Sequence, residues 1–264
     1  MDYCTFLIRT VTLLLVSLGA WAQPPKIKQT NTKFIQSENQ QEILGGTPAE
    51  ENSRIAKVTV RITTISPENE ESYCSGVLIH RNWVLTAAHC FTGKRPMKVY
   101  LDNGSSTLAK SFFIHPRFNP AIERNRFDAA VVFIESHPAF TQPAKLTEAV
   151  PSFLSGTLIA GFGRTEMNQP SIKRLNYVSE LFSDSNYSES EALVTERGNE
   201  GACHGDSGGP AFITNDSDLL VWAIDSRSPP DATHNCGDNE VFTKISAIKP
   251  WIGETMLILS DYLE

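Results

Sequence analysis

The stretch Gly201-Ala-Cys-His-Gly-Asp-Ser-Gly-Gly-Pro210 decides how the rest of this chain is read. Three of the five positions from 205 to 209 are glycine. Glycine loses the most backbone entropy on folding and reaches φ values closed to other residues. Such density therefore belongs where the backbone bends sharply or comes close to another group. A bend at Ser207 lets the N–H groups of Gly205 and Ser207 converge on one point, where they would hold a developing oxyanion. The plain alternative is a glycine-rich surface loop with an ordinary serine. Partners elsewhere in the chain decide between the two.

Two partners lie upstream. Thr86-Ala-Ala-His89-Cys90 follows the apolar run Trp83-Val-Leu85, which places His89 just past a predicted strand. Asp128 stands immediately before the β-prone run Ala130-Val-Val-Phe-Ile134. A serine hydroxyl is a weak nucleophile until a neighbouring base takes its proton. Imidazole does this near neutral pH, and a buried carboxylate sets its tautomer and stabilises the imidazolium. Taken singly, His89 reads as a structural histidine and Asp128 as a strand cap. The three contexts together, in the order His, Asp, Ser, point to nucleophilic catalysis.

With these residues in place the chain resembles the chymotrypsin/trypsin family of serine endopeptidases. The resemblance is carried by Ile43-Leu-Gly-Gly46, Cys74-Ser-Gly-Val-Leu-Ile79, Thr86-Ala-Ala-His-Cys90, Phe127-Asp-Ala-Ala-Val131, Gly161-Phe-Gly163 and Gly205-Asp-Ser-Gly-Gly-Pro210. It implies an all-β fold of two six-stranded antiparallel barrels, with His89 and Asp128 from the first and Ser207 from the second. It also implies the roles: Ser207 as nucleophile, His89 as base, Asp128 as its orienting group, Gly205 and Ser207 as oxyanion donors, and no metal or organic cofactor. Ile43 then looks like the N-terminus made by activating cleavage, its α-amino group pairing with Asp206. The residue before that cut is Glu42 rather than Arg or Lys, which calls for an activating protease that cuts after Glu, or for self-cleavage.

At 264 residues the chain has room for one large domain or two small ones, and 41% hydrophobic with 20% charged residues is an ordinary globular balance. A formal charge of −7 excludes nucleic acid and anionic membrane surfaces as natural partners. Arg9, the apolar run Val11–Leu18 and the small residues of Ala20-Trp-Ala22 read as a signal peptide over residues 1–22; an uncleaved anchor is the alternative. Residues 23–42 are polar and read as a propeptide, leaving 43–264 as the protease domain. A protein secreted to an extracellular or periplasmic space and acting as a monomer on protein or peptide substrates is the expectation, with no membrane partner once the signal is removed.

Of five cysteines, Cys4 leaves with the signal, and the remaining even count reads as two disulfides in an oxidising compartment. Three pairings are open on the sequence; the family resemblance implies Cys74–Cys90 and Cys203–Cys236. From residue 55 onward short β-prone runs recur between turn signals, beginning with Ile55–Ile62 and including Leu219–Ile224 and Val241–Thr243. That spacing argues for barrels or sandwiches. Ser246–Leu259 is the one helical stretch, with Pro250 expected in its first turn.

The substrate pocket is less legible. The position six before the nucleophile, where relatives that cut after Arg or Lys carry aspartate, is Gly201, with Ala202 beside it. Glu240 falls where family members usually have a small residue on the pocket floor. It would bind a cationic side chain, divide the pocket, lie solvated, or pair with Arg227. Asp225-Ser-Arg227 aligns with the wall along which substrate backbone pairs as an added strand. There Arg227, with His204, would narrow the pocket or favour an acidic side chain. No preferred side chain follows, and a catalytically silent homologue acting as a binding module stays open.

Overall fold

The computed structural model describes residues 43–152, 156–164, 174–195, 200–215, 218–232 and 236–263. The expected signal peptide and propeptide, with Cys4 and Glu42, lie outside them. Two short elements come first, strand β1 (Thr47–Pro48) and helix α1 (Arg54–Val58). Then β2 (Thr59–Ile65), β3 (Glu71–His80), β4 (Trp83–Thr86), β5 (Arg95–Tyr100), β6 (Ser106–Ile114) and β7 (Ala130–Ile134) close into an antiparallel barrel in the order β2-β3-β4-β7-β6-β5.

The second barrel uses β9 (Gly156–Gly161), β10 (Asn176–Asp184), β11 (Glu191–Thr195), β12 (Pro210–Asn215), β13 (Asp218–Arg227) and β14 (Asn239–Lys244). Its pairing runs β9-β10-β11-β14-β13-β12, and β12 returns to β9. The intervening β8 (Lys145–Leu146) lies parallel to β13, and β1 adds to β10. Helix α2 (Ile245–Leu263) ends the chain. The all-β double barrel with a C-terminal helix is therefore the fold.

Apolar runs that fail to alternate mark strands buried on both faces. In β4, Val84 packs inside the first barrel while Trp83 and Leu85 join a second core. That second core also takes Phe212 and Val221 from the other barrel and Ile245, Ile248 and Ile252 from α2. In β7, Ala130, Val132 and Ile134 face inward and Val131 faces the shared core. Successive strand residues point to opposite faces, so a strand between two cores must be apolar at every position. Inside the second barrel, Ile43, Ile159, Trp222 and Phe242 form the third core.

Two local expectations change, and one strand was not expected. Arg54–Val58 is a helix rather than the start of a strand, because the Ser53 hydroxyl accepts the Ala56 N–H at 3.2 Å and caps it. Helix α2 begins directly after β14, anchored by the fully buried Ile245 and Ile248. Pro250 is consequently its sixth residue and lies beyond the first turn. Strand β11 carries no period-two pattern and owes its conformation to the neighbours β10 and β14 on either side.

Both disulfides implied by the resemblance are present, Cys74–Cys90 and Cys203–Cys236. A buried ion pair ties the barrels together near the seam. Glu191, with no exposed side-chain surface, meets Arg227 at 2.6 Å. Glu191 also accepts the N–H groups of Asn125 (2.7 Å) and Arg126 (3.3 Å), and the Ser188 hydroxyl at 3.0 Å. Arg227 in turn donates to the Glu123 carbonyl. The loop leading to Asp128 is thereby held on the second barrel. Removing one member of a buried pair strands the other charge. Arg227→Met is expected to lower unfolding stability by about 3 kcal/mol or more in denaturant titrations. Adding Glu191→Gln should recover part of that loss; a single variant as stable as the parent would refute the tie.

Candidate active site

His89 lies in the 3-10 turn Ala88–Phe91 that follows β4, and Asp128 lies two residues before β7. Antiparallel pairing of these strands, Thr86 opposite Ala130, brings the two residues to the same end of the first barrel. The His89 Nδ1 and Asp128 Oδ2 are 2.7 Å apart, and the His89 backbone N–H donates to Asp128 Oδ1 at 2.9 Å. A third donor comes from the second barrel: the Ser226 hydroxyl reaches Asp128 Oδ2 at 2.7 Å. Asp128 is 2% exposed, whereas His89 is 36% exposed. Burial pushes the Asp128 carboxyl up, but the His89 imidazole, the Ser226 hydroxyl and the His89 N–H outweigh it and hold it below the ordinary aspartate range. The group is thus kept as a carboxylate.

The Ser207 backbone lies beside the turn that carries His89. Its carbonyl accepts the Ser75 N–H at 2.9 Å and lies 3.9 Å from the Cys90 sulfur, one residue from His89. Gly208 has φ +82°, and a side chain there would strike the Thr86 hydroxyl and the Ala87 nitrogen. Only glycine lets the loop of Ser207 sit so close to the turn carrying His89. Gly205, at φ +107°, is the other special position of the loop. Asp206 is buried beneath it and accepts N–H groups from Gly163 (2.8 Å) and Cys203 (3.0 Å).

Ser75 was not singled out on the sequence, yet it organises this loop from the first barrel. Fully buried, it donates its hydroxyl to the Gly205 carbonyl at 2.8 Å and accepts the Phe162 N–H at 2.8 Å. Its own carbonyl is held by the Thr86 hydroxyl at 2.6 Å. A single serine in β3 therefore fixes the Gly205 carbonyl, β4 and the end of β9 at once. Ser226 was likewise missed as a partner of Asp128. The only sequence signal for either was its place in a family motif, since each contact joins residues about a hundred positions apart.

The expected pocket residues separate. Gly201 and Ala202 are buried, and Gly201 pairs with Leu44 through its N–H at 2.9 Å. His204 is exposed and lines no buried wall. Asp225 is buried beside Asp206 and Ile43 on the inner side of β13, away from the substrate wall. Of the stretch Asp225-Ser-Arg227, Ser226 is the residue that reaches Asp128, and the strand register slips between Asp225 and Arg227. Arg227 turns to Glu191, so its charge is matched within the fold rather than offered to an acidic side chain. The Glu240 carboxylate accepts the Ser228 hydroxyl at 3.0 Å and is 7% exposed, while the ion pair of Arg227 is made with Glu191. Cys74, His89 and Cys90 bring ligand-type atoms together, but the two sulfurs are bonded to each other.

A family profile described as Trypsin matches residues 43–252. The chymase of Cavia porcellus is 28% identical over 237 residues, covering 81% of this chain and 91% of its own length. Kallikrein 1-related peptidase b8 of Mus musculus is 27% identical over 254 residues, covering 82% and 90%. Among solved structures, HL collagenase at 1.7 Å resolution superposes with a TM-score of 0.67 at 21% identity, covering 81% of this chain and 98% of that one. The structure of GrC gives 0.66 at 22% identity, covering 81% and 99%. At those identities the two structures speak for the fold alone.

Ser75 offers a test of how the loop is held. Ser75→Ala removes the donor to the Gly205 carbonyl and the hydroxyl that accepts the Phe162 N–H, a loss of about 1–3 kcal/mol of stability. We expect kcat to fall roughly tenfold, less than the loss on deleting an oxyanion donor outright, with KM within about threefold. Unchanged kcat in a folded variant would remove Ser75 from this role.

Proposed function

The chain belongs to the trypsin family, and on that premise we propose that it is an exported serine endopeptidase made as an inactive precursor and activated by a cut before Ile43. The observation that carries the reading is the buried Asp128 carboxylate bonded to His89 at 2.7 Å, with the Ser207 backbone packed against the turn that carries His89. The Ser207 hydroxyl attacks the carbonyl carbon of a peptide bond while the imidazole, through the nitrogen not bonded to Asp128, takes the hydroxyl proton. The negative charge on the former carbonyl oxygen is met by the N–H groups of Gly205 and Ser207. Collapse breaks the C–N bond as His89 returns the proton to the leaving amine, leaving an ester on Ser207. Water then repeats the sequence and frees the acid.

Protein or peptide is the substrate class. The activating cut follows Glu42, by a protease of that preference or by the enzyme itself. Export is supported by the two disulfides, which belong to an oxidising compartment. Among the described residues no helix is long and apolar enough to cross a membrane.

A fluorophosphonate probe should label the chain that begins at Ile43 and fail to label Ser207→Ala. A correctly processed parent that takes no label would instead indicate a silent binding module. In the same material kcat/KM should fall in acid, where a general base is protonated and cannot accept the Ser207 proton. A profile flat from acid to neutral pH would contradict His89 as the base.

A further inference from the structure

Asp225 is a buried carboxyl that the chemistry above does not use. It stands in β13 next to Ser226, and its carbonyl and N–H are engaged by Gly208 N–H and the Gly209 carbonyl, both at 2.8 Å. Its side chain is 4% exposed, and among the described residues one carboxyl oxygen, Oδ1, has no hydrogen-bond partner. It lines a small cavity with Asp206 and Ile43, closed by Ile159, Ala202 and Phe242; no Lys, Arg or His contributes to that lining. Asp206 already receives one backbone N–H on each oxygen.

Two carboxyls in an apolar cavity repel and are poorly solvated, and each bears the cost. Burial pushes the Asp206 carboxyl up to about 7, against the two N–H groups it accepts. Burial pushes Asp225 up as well, and the neighbouring Asp206 and Asp128 push it further. These carboxyls are the charged groups bearing on Asp225, and what the cavity lacks is a cation. An α-ammonium group brings three N–H donors and one positive charge. Asp206 alone, its oxygens partly occupied, does not take them all.

We propose that Asp225 is a second receptor for the α-ammonium group of Ile43, so that the new N-terminus is held between two carboxyls, Asp206 and Asp225. This rests on the reading that the chain is cut before Ile43. Asp225 then acts as a positioning residue: it holds the ammonium that orders the loop of Gly205 and Ser207, and it touches no substrate. The same carboxyl has opposite effects on the two forms of the protein. Before cleavage it is an unmatched buried acid, and after cleavage it grips the N-terminus.

The test compares Asp225→Val, the nearly isosteric Asp225→Asn, and Asp206→Asn, each as the uncut chain and as the chain beginning at Ile43. In the processed Asp225→Val protein the alkaline limb of kcat/KM should move down by about one pH unit, and cyanate should carbamylate the Ile43 amino group roughly tenfold faster. Asp225→Asn, which keeps an acceptor without the charge, should fall between. The uncut Asp225→Val chain should be at least as stable as the parent, whereas a carboxyl serving only the fold would cost stability in both forms. Parental limb and carbamylation rate in both Asp225 variants, with Asp206→Asn inactive, would overturn the role of Asp225 and leave the activation reading standing. Full activity in processed Asp206→Asn would instead remove the activation reading itself.

Discussion

A carboxylate held almost out of water sets the terms for this molecule. Asp128 keeps its charge at 2% exposure because three donors surround it, two from His89 and one from Ser226. Buried charge is tolerated only when it is paired and hydrogen-bonded. The His89 donors belong to the first barrel and the Ser226 hydroxyl to the second. Satisfying one side chain thus fixes how the strands at the seam meet, and it aims the imidazole in the same act.

The same economy of contacts recurs around the glycine-rich loop. Ser75 reaches across from β3 to the Gly205 carbonyl, its N–H reaches the Ser207 carbonyl, and Gly208 lets the loop lie against Thr86 and Ala87. On its other side the loop is paired to β13 through Gly208, Gly209 and Asp225. Beneath it lie Asp206 and Asp225, which line one small cavity with Ile43. The loop is therefore braced from the first barrel and rests on the interior of the second.

Glu191 and Arg227 show how a residue that looks like a specificity element can be structural. An arginine on a substrate wall invites an acidic partner, and this one finds it inside the protein. Glu191 simultaneously holds the backbone of Asn125 and Arg126, so the loop that delivers Asp128 is anchored by the same charge. The wall strand, the loop before Asp128 and strand β11 are joined in one buried cluster.

The local chemistry was legible in the residues alone: the glycine density around Ser207, the placement of His89 and Asp128 at strand ends, the recurrent short strands, and an even set of cysteines once Cys4 is set aside. Even the doubly buried strands β4 and β7 announced themselves as unbroken apolar runs. Those features are set by propensity and by spacing along the chain, which a sequence displays directly. The partners of Asp128, the brace at Ser75, the match of Arg227 to Glu191 and the neighbours of Asp225 were decided only by tertiary structure. Each depends on strand register between distant segments, and the alternation of side chains along a strand means that a shift of one residue exchanges the two faces. At the slip between Asp225 and Arg227 that single residue separates a hydroxyl bonded to the Asp128 carboxylate from an acid facing the cavity it shares with Asp206 and Ile43.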